Sequence, residues 1–162
     1  MEKKSLLDGK RILVVDDEPD VLESLEELLS ACDVVKAASF DAAQALIARE
    51  RFDLVILDIM GVSGYELLQL ATARNMTAVM LTAHALTPEN IVKSFREGAA
   101  YFLPKEEMVN ITSFLNEILE AKQSGKSTWD NWMHRLAGYC ERTFGHKWQD
   151  TEKEFWDKFP FY

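Results

Sequence analysis

Three acids in a row, Asp16, Asp17 and Glu18, follow directly on the apolar run Ile12-Leu13-Val14-Val15. A second apolar run, Leu54-Val55-Ile56-Leu57, ends in Asp58. Carboxylates gathered at strand ends repel one another, which is costly unless a cation shares the charge. Oxygen donors of this kind suit Mg2+, which takes one or two carboxylates and keeps waters that a phosphate can replace. In open α/β sheets, ligand sites lie just beyond the carboxyl ends of the strands, where these acids fall. Two of them also have structural uses. Asp16 suits the N-cap of the helix that follows, and Glu18 suits its first turn, where the helix dipole favours an acid.

The elements that must carry these acids alternate five times. Strand-like runs cover residues 11–15, 33–37, 53–57, 77–81 and 100–103, and amphipathic stretches cover about 19–31, 40–50, 64–74, 88–97 and 107–121. Val21, Leu25, Leu28 and Leu29 share helical spacing, as do Phe114, Leu115, Ile118 and Leu119. Several strands are almost wholly apolar, as expected when helices cover both faces of a parallel sheet. The alternation predicts a doubly wound α/β domain.

Composition changes near residues 123–127. From Ser124 onward there are six Lys/Arg and six Asp/Glu, against 12 basic and 21 acidic residues before it. Ten of the 17 aromatic residues, including all four Trp (129, 132, 148 and 156), lie in this tail. Trp129, Trp132, Met133, Leu136, Tyr139 and Cys140 follow a helical rhythm, with Thr128 as the expected cap and Gly145 as the stop. Thr151-Glu152-Lys153-Glu154 fits a capping box for a second helix carrying Phe155, Trp156 and Phe159, closed by Pro160. Aromatic side chains this large do not stay in water. A helical pair of this size barely makes a core alone, so the tail is expected to pack on the preceding domain or on a second chain.

The ordered set of residues resembles the receiver domain of two-component response regulators. The resemblance covers roughly residues 10–121. It rests on Asp16-Asp17 after the first strand, Asp58 after the third, Thr82 and Ala83 after the fourth, and Phe102 and Lys105 in Tyr101-Phe102-Leu103-Pro104-Lys105. It implies a flavodoxin-like five-stranded parallel sheet of order 2-1-3-4-5, with a receiver domain over residues 1–123 and a helical extension over 124–162. It implies that Asp58 is the phospho-acceptor, and that Asp16, Asp17, Asp58 and the Met60 backbone carbonyl hold Mg2+. Lys105 would pair with Asp58 and then with a phosphoryl oxygen. Thr82 and Phe102 would be the switch pair. Met60 and His84 would restrict the hydrolytic water and so lengthen the phosphorylated state. The expected donor is a histidine kinase or a phosphotransfer protein, and the output is a protein target.

Two departures from the family pattern stand out. The loop Ile59-Met60-Gly61-Val62-Ser63 is shorter than usual, and Gly61 relieves the strain of the tighter turn. Glu106 replaces the customary proline after Lys105, which leaves Lys105 less rigidly held or partly paired with Glu106. These departures keep a phosphorylation-independent scaffold as the alternative reading. A haloacid-dehalogenase-type phosphatase would need a second acid where Met60 stands, so enzymatic turnover beyond self-catalysed phosphoryl transfer and autodephosphorylation is not expected. DNA binding is not expected either, because the net charge is −9 and the tail is balanced in charge. No apolar run approaches the roughly 20 residues that span a bilayer, and the start lacks the features of a signal peptide. Cys32 and Cys140 show no ligand spacing, so a reduced, cytoplasmic protein is the expectation. A homodimer would use the face of the fourth helix, fifth strand and fifth helix, or the extension.

Overall fold

The computed structural model describes residues 5–83 and 87–158. The first ten elements alternate strictly. They are β1 (Arg11–Val15), α1 (Pro19–Leu28), β2 (Asp33–Ala37), α2 (Phe40–Arg49), β3 (Leu54–Leu57), α3 (Gly64–Ala73), β4 (Thr77–Thr82), α4 (Pro88–Arg96), β5 (Tyr101–Pro104) and α5 (Ile111–Ser124). The strands form one parallel sheet of order β2-β1-β3-β4-β5. β3, β4 and β5 are buried along their whole length, as their unbroken apolar runs require in a sheet covered on both faces.

Local chemistry sets the helix starts. Ser39 accepts the Ala42 N–H at the head of α2, and Thr87 accepts the Asn90 N–H at the head of α4. Proline opens α1 and α4, where its missing N–H costs nothing. α5 begins later than the expected residue 107, after a 3-10 turn over Lys105–Asn110. The apolar rhythm explains the shift: Ile111, Phe114, Leu115 and Ile118 are buried on one side, whereas Val109 is 70% exposed.

At the end of α5, Gly125 adopts a left-handed φ of 68°. The Lys126 N–H reaches back to the Ala121 carbonyl at 2.8 Å, and the Gly125 N–H reaches that of Lys122. This Schellman turn reverses the chain into the tail. The tail forms α6 (Trp129–Phe144), stopped at Gly145, and a short α7 (Lys153–Lys158). Thr128 does not cap α6 with its side chain. Its hydroxyl instead donates to the Ala100 carbonyl at 2.7 Å. Thr151 lies inside a 3-10 turn rather than at a helix cap. The expected roles of Phe159 and Pro160 fall outside the described residues.

The tail packs on the sheet domain, on the side of β5 and α4. Trp132, only 1% exposed, donates its indole N–H to the Phe102 carbonyl at 2.7 Å. Its ring meets Phe95 of α4 edge-on at 5.1 Å and lies nearly parallel to Trp156 at 6.1 Å. Trp148 and Trp156 close the cluster at 5.0 Å. Edge-on and offset aromatic pairs of this kind add stabilisation beyond simple burial. The edge strand β5 is thereby covered by a helix, a common way to shield an open edge. Replacing Trp132 by alanine is expected to lower the unfolding free energy by about 3–5 kcal/mol in guanidinium titrations. His134→Ala, at an exposed position of the same helix, should stay within about 0.5 kcal/mol of the parent.

Candidate functional site

Strand register assembles the acids. Val15 pairs with Leu57, and the Asp58 N–H donates to the Val15 carbonyl at 3.0 Å. The residues that follow these strands, Asp16 and Asp58, therefore come out side by side. β1 and β3 are also where the strand order reverses, because β2 lies on one side of β1 while β3 and the later strands lie on the other. Crevices at such switch points are where open α/β sheets bind ligands. Thr82 ends β4 opposite Pro104, which sets it beside the strand that delivers Lys105.

Asp16, Asp17 and Asp58 each offer a carboxylate oxygen within 4.8 Å of the others. Asp16 and Asp58 are buried, at 1% and 5% exposure, while Asp17 is open to solvent. Asp16 is not the N-cap expected of it: Glu18 takes that position without a side-chain cap bond, and Asp16 instead accepts the Glu18 N–H on Oδ1 at 2.9 Å in the turn before the helix. Its other oxygen, Oδ2, lies 2.8 Å from the Lys105 ammonium. Lys105 Nζ is 3.6 Å from Asp58 Oδ2 and 3.8 Å from Glu18 Oε1. Lys105 thus sits closer to Asp16 than to Asp58, and Glu18 joins the ion cluster from the N-cap position of α1, while the acid in the first turn is Asp20.

Burial, then the charge of Asp16, and more weakly that of Asp17, raise the Asp58 carboxyl from 3.8 to about 6, against the opposing pull of Lys105. For Lys105, burial favours the neutral amine. Its contacts with Asp16, Asp58 and Glu18 outweigh that and hold its pKa above the usual value. A cluster with more buried acid than base fits a hard divalent cation bound through oxygen.

The loop from Ile59 to Ser63 closes the site. Gly61 has a φ of +84°, and a Cβ there would stand 2.3 Å from Asp17 Oδ2. A Cβ on Gly64 would stand 2.0 Å from the Asp58 carbonyl oxygen. At Gly64 the obstacle is the Asp58 backbone itself, and at Gly61 it is the Asp17 carboxylate together with a left-handed φ, so both positions favour glycine. Gly61 therefore does more than ease a tight turn: it gives Asp17 its room. Met60, between Asp58 and this contact, is 55% exposed. Thr82 is fully buried and Phe102 is 1% exposed. His84 falls outside the described residues.

Glu106 does not pair with Lys105. Its Oε1 accepts a hydrogen bond from the Tyr139 hydroxyl of α6 at 3.1 Å. No local pattern announces a contact between residues 33 positions apart. The only sequence signal was the aromatic richness of the tail.

The acidic cluster thus lies at the β1/β3 switch point of an open parallel α/β sheet. Residues 12–124 match the family model described as the response regulator receiver domain. The chain belongs to that family, whose members act in two-component signal transduction. It is 34% identical over 113 residues to the two-component response regulator ARR18 of Arabidopsis thaliana, covering 64% of this chain and 18% of that protein. It is 34% identical over 101 residues to the response regulator protein FleR of Pseudomonas aeruginosa, covering 59% of this chain and 21% of that protein. The matched region is thus about a fifth of such relatives' length.

Among solved structures, a CheY-like receiver domain protein from Methanospirillum hungatei JF-1 superposes with a TM-score of 0.65 at 30% identity, covering 72% of this chain and 98% of that one. The BeF3-activated DrrB receiver domain superposes at 0.61 with 26% identity, covering 69% and 98% of the two chains. The family match ends at residue 124, so α6 and α7 lie beyond it. Among the described residues no helix is long and apolar enough to cross a membrane.

The raised Asp58 pKa has a consequence for stability. The folded protein holds a proton on Asp58 up to about pH 6, whereas the unfolded chain releases it near 3.8. Folding stability therefore falls as pH rises through that window, and the deficit is complete above it. In metal-free buffer, Asp58→Asn is expected to be more stable than the parent at pH 7.5 by about 1–3 kcal/mol. The difference should shrink toward zero at pH 4, as read by urea unfolding at each pH.

Proposed function

We propose that the chain is a phosphorylation-driven switch in which Asp58 accepts a phosphoryl group from the phosphohistidine of a histidine kinase or phosphotransfer protein. The observation that supports this reading is the meeting of Asp58 with Asp16, Asp17 and Lys105 at the carboxyl ends of β1, β3 and β5. A buried carboxylate is a competent covalent acceptor for phosphoryl transfer. One Asp58 oxygen forms the new P–O bond while the P–N bond to the donor imidazole breaks, its electron pair remaining on the ring nitrogen. Catalysis of such a transfer is mainly positioning and charge neutralisation.

Asp16, Asp17, Asp58 and the Met60 backbone carbonyl are the groups that would hold Mg2+. When bound, that ion spreads the negative charge of the acids and of the phosphoryl oxygens. Lys105 is the mobile cation of the site. It leaves its contacts with Asp16 and Asp58 to bind a phosphoryl oxygen. The Thr82 hydroxyl donates to another oxygen, so that both groups act where charge is held in the product. Ala83, small and solvent-facing, leaves room for the incoming group.

Thr82, at the end of β4, and Phe102, in β5, are both buried, and their joint movement is the means of carrying the signal outward. The phosphoryl group biases an equilibrium between two arrangements of β4 and β5. Hydrolysis of the acyl phosphate resets the protein, with Met60 restricting the attacking water. The output is contact with a protein target in the cytoplasm, and the aromatic extension over residues 124–162 belongs to that output surface.

Intact mass after incubation with acetyl phosphate and Mg2+ checks this reading. The parent is expected to gain one phosphoryl group, which is lost over time, and Asp58→Asn to gain none. A folded parent that gains none would favour a phosphorylation-independent scaffold.

A further inference from the structure

Lys105 lies between two points held by α6. Three residues before it, the Phe102 carbonyl accepts the Trp132 indole N–H at 2.7 Å. One residue after it, the Glu106 carboxylate accepts the Tyr139 hydroxyl at 3.1 Å. Trp132 and Tyr139 are seven residues apart, two turns of helix, and so face the same side of α6. A third contact, from Thr128 to the Ala100 carbonyl at 2.7 Å, fixes the start of the same strand. Arg135, between the two gripping residues, pairs with Glu117 of α5 at 2.8 Å and lies 3.7 Å above the Phe114 ring. α6 is thereby held on α5 as well as on β5.

The grip at Glu106 has an electrostatic use. The Lys105 ammonium already has Asp16, Asp58 and Glu18 within 4 Å. Glu106 is its immediate neighbour in the chain and a further carboxylate, exposed to solvent. Left unheld, it would compete for the ammonium and draw it away from the acids. In the structure Glu106 is turned to α6 instead.

Resting on the reading of Asp58 as the phospho-acceptor, we infer that Tyr139 is a positioning residue for phosphoryl transfer. By holding the Glu106 carboxylate on α6, it keeps Lys105 among Asp16, Asp58 and Glu18, within reach of a phosphoryl group on Asp58. The helical extension is then part of the machinery of the site, not only a cover for the β5 edge. Because a small misplacement of a charged group is enough to slow a positioned reaction, losing one hydroxyl has a measurable effect even though Tyr139 touches no reacting atom.

The test follows the rate of phosphoryl gain from acetyl phosphate in the full-length chain by intact mass. It compares the parent, Tyr139→Phe and Tyr139→Phe/Glu106→Gln. All four Trp residues lie in the tail, so tryptophan emission reports whether α6 stays docked in each variant. Tyr139→Phe is expected to keep the parental emission and to gain phosphoryl groups about two- to fivefold more slowly, the range of an exposed charged contact. The double variant should return to the parental rate, because glutamine carries no charge to compete for Lys105. A purely structural loss at Tyr139 would not be repaired in this way. A parental rate in Tyr139→Phe would overturn the inference, and so would a slow rate that Glu106→Gln does not restore. A parent that gains no phosphoryl group would instead overturn the underlying reading of Asp58.

Discussion

One ammonium among two buried and two exposed carboxylates organises this molecule. Lys105 Nζ lies within 4 Å of Asp16, Asp58 and Glu18, and Asp17 stands beside them. Burying charges is costly unless they are paired, and removing one partner leaves the others worse off. Burial, and then repulsion from Asp16 and Asp17, keep the Asp58 carboxyl raised to about 6, because Lys105 offsets only part of them. The surplus of negative charge makes the site receptive to a divalent cation. The strands are the means of holding that surplus together: β1 and β3 set the acids side by side, and β5 supplies the counterion.

β5 also links the site to the rest of the fold. Its residues run from the carbonyl held by Trp132 to the lysine at the acids. The tail lies on the side of β5 and α4, with Phe95 of α4 against Trp132 and Arg135 against Glu117 of α5. A homodimer built on the face of α4, β5 and α5 would therefore have to share that surface with α6 or displace it. A protein target reading the state of β5 would meet the same helix. On the proposed reading, a change at Asp58 would reach the outside of the sheet domain through this extension.

Much of this was legible in the chain. Buried parallel strands are unbroken apolar runs, and the residue types that end them, Asp16, Asp58 and Thr82, stand at the carboxyl ends where ligands bind. Lys105, two residues past the fifth run, was legible only through the resemblance to the receiver family, because a lone lysine there reads as a surface residue. What was not legible depends on contacts without a local period. Gly61 reads as a turn residue, and only the folded loop places its backbone against Asp17. Thr128 reads as a helix cap, and tertiary structure redirects its hydroxyl to β5. Glu106 reads as a rival for Lys105 because the two are adjacent, and a tyrosine far along the chain decides otherwise.

The most direct measurement is calorimetric titration of the metal-free protein with Mg2+ at several pH values, in buffers of different ionisation enthalpy. If unrelieved acid charge is what prepares the site, Mg2+ affinity rises through about pH 6. Binding at that pH should then release about half a proton, because Asp58 must ionise to bind. Saturable binding with no proton release, and with the same affinity at pH 5.5 and 7.5, would contradict the account.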